Sequence, residues 1–287
     1  MREQIMNMLL TAIKESLGEE YLVDSSIIKK NNNIKKYAIS IRKRNEQVAP
    51  ILYIDSILED IELFKSSLLD GTKQILSAYQ SAITEVSTLA VPDLNKSYVL
   101  KHVYYQLIHA GSNEDLIRTV PHKRFLDLAV VFRVSVGKSD GMSHTFILSK
   151  EMTEKANLTL EELDTAAEKN TKERGFSHAP LSEILHIYMP EKEQPYVLTN
   201  PEKTYGANIL LFPEELAKTA DVFEDDFYLI PSSIHELMAY PVSSIEKEYL
   251  LEILRSANAD PTVVKKEEVL GYRIYRYNRK TGTVTFA

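Results

Sequence analysis

The spacing of apolar residues predicts that the chain begins with a helix followed by a β-hairpin. The first apolar residues recur at helical spacing, at Ile5, Met8, Leu9 and Ile13. Gly18 then ends the predicted helix. Residues 21–30 and 34–43 are rich in β-forming residues and are joined by Asn31-Asn32-Asn33. Asparagine tolerates left-handed backbone and forms local turns, so these two runs predict a hairpin.

The pattern becomes helical in the next part of the chain. Residues 55–89 have helical periodicity, and Gly71 is predicted to separate two helices there. Residues 98–110 are predicted to form a further helix, which Gly111 ends.

In the second half of the chain, segments whose apolar residues recur at every second position alternate with segments whose apolar residues recur at helical spacing. One apolar face of a core strand is formed by Leu126, Leu128, Val130, Phe132 and Val134. A turn at 137–141 and a returning strand at 144–148 complete a second hairpin. Thr159 and Glu162 have the spacing of a capping box and predict a helix that Gly175 ends.

The remaining elements give the fold class. Strands are predicted at 196–199, 208–212, 227–230, 272–277 and 283–286. Helices are predicted at 213–222 and from Ser243, which has capping-box spacing to Glu246. This order predicts an α+β protein with mixed, mainly antiparallel sheets and packed helices. The polar stretch 111–115 divides the chain into two predicted domains, residues 1–115 and 116–287.

Composition restricts the class of protein. The 287 residues contain 34 Lys+Arg and 41 Asp+Glu, a net charge of −7, which argues against a basic protein that coats nucleic acid. The absence of cysteine excludes disulfides, thiolate metal sites and a thiol nucleophile. Nine glycines without a phosphate-binding loop predict no nucleotide cofactor of that kind, and no cofactor is expected. No long apolar segment is present, so we expect a cytoplasmic protein without a membrane partner.

One short segment combines the residue types of a hydrolase. Ser232, Ser233, His235 and Glu236 follow a predicted strand, and Asp127 is a further carboxylate. A serine nucleophile needs an adjacent base, but in extended backbone Ser233 and His235 lie about 7 Å apart. A Gly-x-Ser-x-Gly turn is also absent. The favoured interpretation is structural, with the serines bonding turn amides, and catalysis by Ser233, His235, Glu236 and Asp127 is the alternative.

Two further pairs of residues have the side-chain types of a metal site or an ion pair. His102 and His109 share a face of the predicted 98–110 helix but are about 10.5 Å apart along its axis, so no metal site is predicted. Asp127 and Arg133 lie on the polar face of the core strand, about 20 Å apart, and cannot pair.

The densest group of charges is basic. Within sixteen residues the predicted hairpin carries seven basic residues and no acidic one: Lys29, Lys30, Lys35, Lys36, Arg42, Lys43 and Arg44. Such a group attracts phosphates or an acidic partner surface. Lysines on an exposed hairpin also prevent pairing with other strands, which needs no ligand.

Four blocks of sequence resemble a known family when taken together: TVPHKRFLDLAVVF from Thr119, LTLEELDTAAEKNT from Leu158, YLIPSSIHE from Tyr228 and YRYNRKTG from Tyr275. They resemble a domain-of-unknown-function family of Firmicutes whose members are found on mobile genetic elements. The resemblance implies an accessory role in transfer, maintenance or evasion of host defence, and it assigns no catalytic residue.

These observations lead to one prediction of function. We expect an intracellular, non-enzymatic binding protein whose partner is a protein rather than nucleic acid bound by the basic hairpin. An inhibitor of a host defence protein is the sharpest form of this prediction. The alternative is a hydrolase that uses the Ser233–Glu236 segment with Asp127.

Overall fold

The structure is a computed structural model, and it describes residues 1–46, 49–86, 92–139, 142–190 and 194–287. Its strands form three mainly antiparallel sheets with helices packed against them. The predicted α+β class is therefore confirmed.

Contacts along the chain divide it into two units. Unit 1 comprises Met1–Lys30, Ile34–Val91 and Gly137–Met142, and unit 2 comprises Asn31–Asn33, Pro92–Val136 and Ser143–Ala287. The domain boundary predicted at residue 115 stays a prediction.

Unit 1 contains a small sheet and three helices. The elements are α1 (Arg2–Leu17), β1 (Tyr21–Lys29), β2 (Lys35–Lys43), β3 (Ile51–Tyr53), α2 (Asp55–Glu62) and α3 (Leu68–Val86). The sheet order is β1-β2-β3, and both pairings are antiparallel. The core is formed by residues from the helices and both long strands, including Leu9, Ile13, Ile41 and Leu58. The predicted helix and hairpin are confirmed, and Asn32 and Asn33 have the expected positive φ angles of 60° and 55°.

Gly71 does not separate two helices, as the sequence had suggested, because α3 runs through it and the break falls at residues 63–67. A Cβ at Gly71 would lie 2.9 Å from Ile61 Cδ1 and 3.0 Å from Ile57 Cγ2. The glycine therefore allows α2 to pack closely on α3 and does not end a helix.

Unit 2 contains the remaining helices and two sheets. Its helices are α4 (Lys96–His102), α5 (Glu114–Thr119), α6 (Lys150–Lys155), α7 (Leu160–Arg174), α8 (Leu181–Leu185), α9 (Pro213–Phe223) and α10 (Lys247–Ala259). Its strands are β4 (Val103–His109), β5 (His122–Phe125), β6 (Leu128–Ser139), β7 (Met142–Ile147), β8 (Ser177–Pro180), β9 (Tyr196–Thr199), β10 (Phe227–Ile230), β11 (Leu237–Pro241), β12 (Tyr275–Asn278) and β13 (Thr283–Phe286).

The sheets of unit 2 share one large core. One sheet has the order β4-β6-β5 with β7 paired to β6, and the other has the order β13-β12-β10-β11-β9-β8. Phe132 on β6, Leu198 on β9 and Phe227 on β10 are buried in the same cluster as Leu163 on α7 and Leu216 on α9. The predicted capping box of α7 is confirmed, with both the Thr159 and the Glu162 side-chain bonds present. The predicted turn at Gly141 lies outside the described residues.

The helix predicted at 98–110 is wrong beyond His102, because Val103–His109 forms strand β4. Val103 to Ile108 are all buried, so the segment lacks the alternation by which a half-exposed strand is recognised. Helix α7 covers the strand, and the Tyr105 amide donates to Thr171 Oγ1 at 3.0 Å. The metal argument based on His102 and His109 in one helix therefore loses its geometric basis.

Two smaller predictions also differ from the structure. Residues 208–212 were predicted as a strand, but Gly206–Leu211 is a 3-10 helix that is buried from Gly206 to Leu210. A short, fully buried apolar run has no distinguishing period. Helix α10 begins at Lys247 after Glu246, without a side-chain cap, so the predicted capping box from Ser243 is wrong.

Candidate functional site

The segment that contains Ser233 and His235 lies beside residues 268–271 in unit 2. The Ile234 amide donates to Glu268 O at 2.8 Å, and the Gly271 amide donates to Pro231 O at 2.8 Å. Ser233 Oγ accepts a hydrogen bond from the His235 amide at 3.0 Å. The serine hydroxyl thus bonds local backbone, a common role for serine in turns.

The His235 ring is held by the backbone of a different segment. The Tyr205 amide donates to His235 Nδ1 at 3.1 Å, so the neutral ring carries its proton on Nε2. His235 Nε2 lies 4.0 Å from Glu268 Oε1, which is beyond hydrogen-bond distance. Burial lowers the pKa of His235, against the opposing effect of Glu268. A base for Ser233 would need a ring nitrogen bonded to its hydroxyl, and no such bond is present.

The backbone next to His235 is tightly packed. Tyr205 has a left-handed φ of 57°, which is uncommon for a residue with a side chain. A Cβ on the following residue, Gly206, would lie 2.6 Å from Asn200 N and 2.8 Å from His235 O. Thr199 Oγ1 also donates to His235 O at 2.7 Å. These contacts fix the position of the tyrosine ring relative to the imidazole, with centroids 5.3 Å apart.

Arg133 completes this group from the middle strand of the four-stranded sheet. Its Nε donates to Gln106 Oε1 at 2.7 Å, and its Nη1 donates to Thr145 Oγ1 at 2.5 Å. The guanidinium carbon lies 4.3 Å from the centroid of the Tyr205 ring. Burial lowers the pKa of Arg133, although Tyr205 and Tyr104 oppose this. We call Arg133, Tyr205 and His235 the Arg133 cluster.

Asp127 belongs to a different set of contacts. It lies in the two-residue turn between β5 and β6, and its Oδ1 accepts a hydrogen bond from the Tyr275 hydroxyl at 2.6 Å. Burial and this bond raise the pKa of Tyr275. No hydrogen bond or ion pair of the described residues connects Asp127 to Ser233 or His235. Glu236, which is partly exposed, makes no ion pair with any residue that the structure describes.

The hairpin of unit 1 distributes its basic residues over two faces. Lys29 pairs with Lys35 at one end of the strands, and Lys43 pairs with Tyr21 at the other. Because side chains alternate along a strand, Lys36 and Arg42 lie on the opposite face, about 20 Å apart.

Several of the basic residues contact nearby groups of the same unit. Lys30 Nζ lies 4.3 Å from the centroid of the Tyr53 ring. Arg42 Nη1 donates to Glu46 O at 2.9 Å, and Arg44 Nε donates to Glu19 O at 2.7 Å. Binding of a partner by these seven residues stays a prediction.

Within the described ranges, no three His, Asp or Glu side chains are grouped so that they could hold a metal ion. His178 bonds Thr219 Oγ1 through Nδ1 at 2.9 Å and approaches Glu215 Oε2 through Nε2 at 3.3 Å, so both of its ring nitrogens have protein partners. Among the same residues, none of the helices has the length and apolar character needed to cross a membrane.

A run of exposed apolar residues follows strand β8. Ile184 is 48% exposed, Leu185 53%, Ile187 51% and Tyr188 94%. The backbone of this run is fixed at its base, since the Leu181 amide donates to Pro195 O at 2.8 Å and the Ile187 amide donates to Ser182 O at 3.0 Å. We call Ile184–Tyr188 the apolar segment.

Sequence reasoning singled out His235 but missed its association with Arg133 and Tyr205. The three residues come from separate parts of the chain, which the fold brings together. One signal was present: Arg133 is a charged residue within the apolar core strand. Exposure of the apolar segment could not be recognised, because its residue types are also those of a core helix.

Comparison with known proteins identifies a family without an assigned function. No curated protein and no solved structure matches the chain. The model of a family described as a family of unknown function, DUF5688, matches residues 2–279. This match confirms the part of the sequence resemblance that concerned a family of unknown function. The chain therefore belongs to the DUF5688 family.

Proposed function

We propose that this protein is a non-enzymatic binding protein that docks a partner protein on its apolar segment, Ile184–Tyr188. The observation that carries the proposal is the exposure of four large apolar side chains within five consecutive residues. Exposed apolar surface of this kind is costly in water and is typical of sites that a partner covers.

The chemistry of the segment suits a protein partner. Aliphatic side chains at Ile184, Leu185 and Ile187 offer apolar contact, and Tyr188 adds a large ring with a polar hydroxyl. Tyrosine is enriched at protein interfaces because it combines these two properties. The bond from the Ile187 amide to Ser182 O restrains the backbone of the segment, which lowers the entropy cost of binding.

The contacts of Ser233 and His235 favour binding over the alternative of hydrolysis. Ser233 Oγ accepts a backbone amide, and His235 Nδ1 accepts another. Neither atom is bonded to the other, and Asp127 is engaged by Tyr275. A serine hydrolase needs its base bonded to both the nucleophile and an orienting group.

The proposed partner is a host defence protein in the cytoplasm, and the proposed setting is a mobile genetic element of Firmicutes. This finer proposal is supported by the resemblance of the sequence blocks alone. The test compares two mobile elements, one with the intact gene and one in which the gene is deleted. The transfer frequency of each element is measured into hosts that have their defence systems and into hosts that lack them. A frequency that is independent of the gene in every host would refute it.

The docking proposal is tested by affinity capture from the native host with a double variant, Ile187→Ser with Tyr188→Ser. Val263→Ser is the matched control, because Val263 is also an apolar residue of unit 2 and is 63% exposed. Ser233→Ala is a second control, at a residue outside the apolar segment.

We expect a partner to be recovered in near-stoichiometric amounts by the wild type, the Val263→Ser control and the Ser233→Ala variant. The double variant is expected to lose it while keeping the wild-type melting temperature. Equal recovery by the double variant would show that the partner binds elsewhere. Failure of the wild type to retain any partner would contradict the proposed function.

A further inference from the structure

Arg133 carries a positive charge, and no carboxylate of the residues that the structure describes pairs with it. Its described protein partners are the neutral oxygens of Gln106 and Thr145 and the ring of Tyr205. Gln106 is almost fully buried, with 1% exposure, so the arginine is held deep against the sheet. A charge in such a place is costly unless an opposite charge or several hydrogen bonds compensate for it.

The guanidinium has donors left over. It has five N–H groups, of which the bonds to Gln106 and Thr145 use two. Nη2 makes no hydrogen bond with the residues that the structure describes. The Arg133 side chain is itself partly exposed. A ligand can reach it.

The neighbouring groups are further donors. His235 carries its proton on Nε2, which has no hydrogen-bond partner within 3.5 Å among the described residues. The hydroxyl of Tyr205 likewise makes no hydrogen bond with a described residue. The Tyr205 ring centroid lies 4.3 Å from the Arg133 guanidinium carbon and 5.3 Å from the His235 ring centroid, so these donors come from neighbouring side chains.

The acidic groups near the cluster are already paired with cations. Glu268 lies 3.2 Å from Lys265 Nζ, and Glu202 is paired with Arg174. Arg174 itself lies 4.0 Å from the centroid of the Tyr104 ring, and Tyr104 is opposite Arg133 in the sheet register. Among the described residues, these acidic groups therefore have cationic partners, whereas Arg133 has no carboxylate partner.

We infer that the Arg133 cluster binds a phosphoryl group. The guanidinium fork matches two phosphate oxygens, and the His235 Nε2–H and Tyr205 hydroxyl are donors for a third. A carboxylate has only two oxygens and would leave a donor unused. This inference is independent of the proposed docking on the apolar segment, since it uses none of the same residues.

The phosphoryl group has two possible sources, free inorganic phosphate and a phosphate ester on a larger molecule. Isothermal titration calorimetry at fixed ionic strength distinguishes them with three probes: inorganic phosphate, O-phosphoserine and acetate. Binding of either phosphate probe supports the inference and identifies the source by the tighter affinity. Acetate that binds as tightly as both phosphates, or no binding of either phosphate, would overturn it.

The variant Arg133→Met tests whether the arginine makes the site. Arg124→Met is the matched control, because Arg124 is an exposed arginine on β5 of the same sheet. We expect phosphate affinity to fall about tenfold or more in Arg133→Met, as is usual when charge-assisted hydrogen bonds are lost. It should remain within about twofold in Arg124→Met. Equal affinities in the two variants would refute the assignment.

Stability in phosphate-free buffer separates a binding role from a structural one. Arg133→Met leaves the buried Gln106 side chain without its hydrogen-bond donor. The double variant Arg133→Met with Gln106→Leu, which removes this unpaired group, is therefore measured as well. A binding residue whose charge is uncompensated is expected to give a double variant at least as stable as the wild type. A double variant that melts well below the wild type, together with unchanged phosphate affinity in Arg133→Met, would show that Arg133 serves the fold alone.

Discussion

Replacement of Gly206 by alanine is expected to destabilise unit 2 strongly. The new Cβ would lie 2.6 Å from Asn200 N and 2.8 Å from His235 O, both of which are backbone atoms that cannot turn away. Overpacking of this kind costs about 1–3 kcal/mol. The new methyl group also meets Thr199 Oγ1, and loss of its bond to His235 O adds about 1 kcal/mol. We therefore expect a loss of about 2–4 kcal/mol.

The assay is a thermal melt followed by circular dichroism, with Gly111→Ala as the control. A Cβ at Gly111 would lie 3.2 Å from His109 Cε1, a side-chain atom that can shift. For a protein of this size we expect the midpoint of Gly206→Ala to fall by roughly 5–10 °C, and that of the control by less than about 3 °C. Equal midpoints for Gly206→Ala and the wild type would refute the described packing around His235.

Three other variants test different parts of the structure. Burial lowers the pKa of His178, so the unfolded chain binds its proton first. The free energy of unfolding in urea should then be constant above about pH 7 and fall below about pH 6.5, and His178→Gln should reduce this slope. Asp226 accepts two bonds from Arg276 and one from the Arg279 amide, so Asp226→Asn should cost about 1–3 kcal/mol in urea. The exposed Asp221→Asn is its control, and equal losses would contradict the assignment. Thr159→Ala should cost about 1 kcal/mol through loss of the α7 cap, and a loss restored by Thr159→Ser would confirm the cause.

Local signals in the sequence were sufficient where a short motif determines the structure. The Thr159–Glu162 capping box and the Asn31–Asn33 turn each depend on side-chain bonds or backbone preferences within a few residues. Strands β9 and β10 were also predicted with their observed bounds, because both are short β-forming runs between turn residues.

Prediction failed where burial on two faces removed the periodic signal. Strand β4 contains Val103, Tyr104 and Ile108, which favour strands, but the expected alternation is absent because α7 covers one face and α5 packs against Ile108 on the other. Gly71 shows the related difficulty that a glycine can serve close packing instead of a helix end. Both errors concern tertiary contacts that no short window of sequence contains.

The candidate sites could be predicted only in part. His235 was recognised as a residue of interest, but its partner Tyr205 and Arg133, which contacts Tyr205, lie 30 and 102 residues away in the chain. The seven basic residues were identified as a group, yet the strand register places the five that lie on β1 and β2 on two faces. Sequence spacing gives the number of charges, whereas pairing decides whether they share a surface.

The most direct test of the central claim is site-specific photo-cross-linking in the native host. A photoreactive phenylalanine analogue replaces Tyr188, which is 94% exposed, and in a parallel sample it replaces Val263, which is 63% exposed. We expect one discrete cross-linked product from position 188. Excess wild-type protein should suppress this product, whereas excess of the Ile187→Ser, Tyr188→Ser double variant should not. The absence of a product at position 188, or the same product from position 263, would contradict docking on the apolar segment.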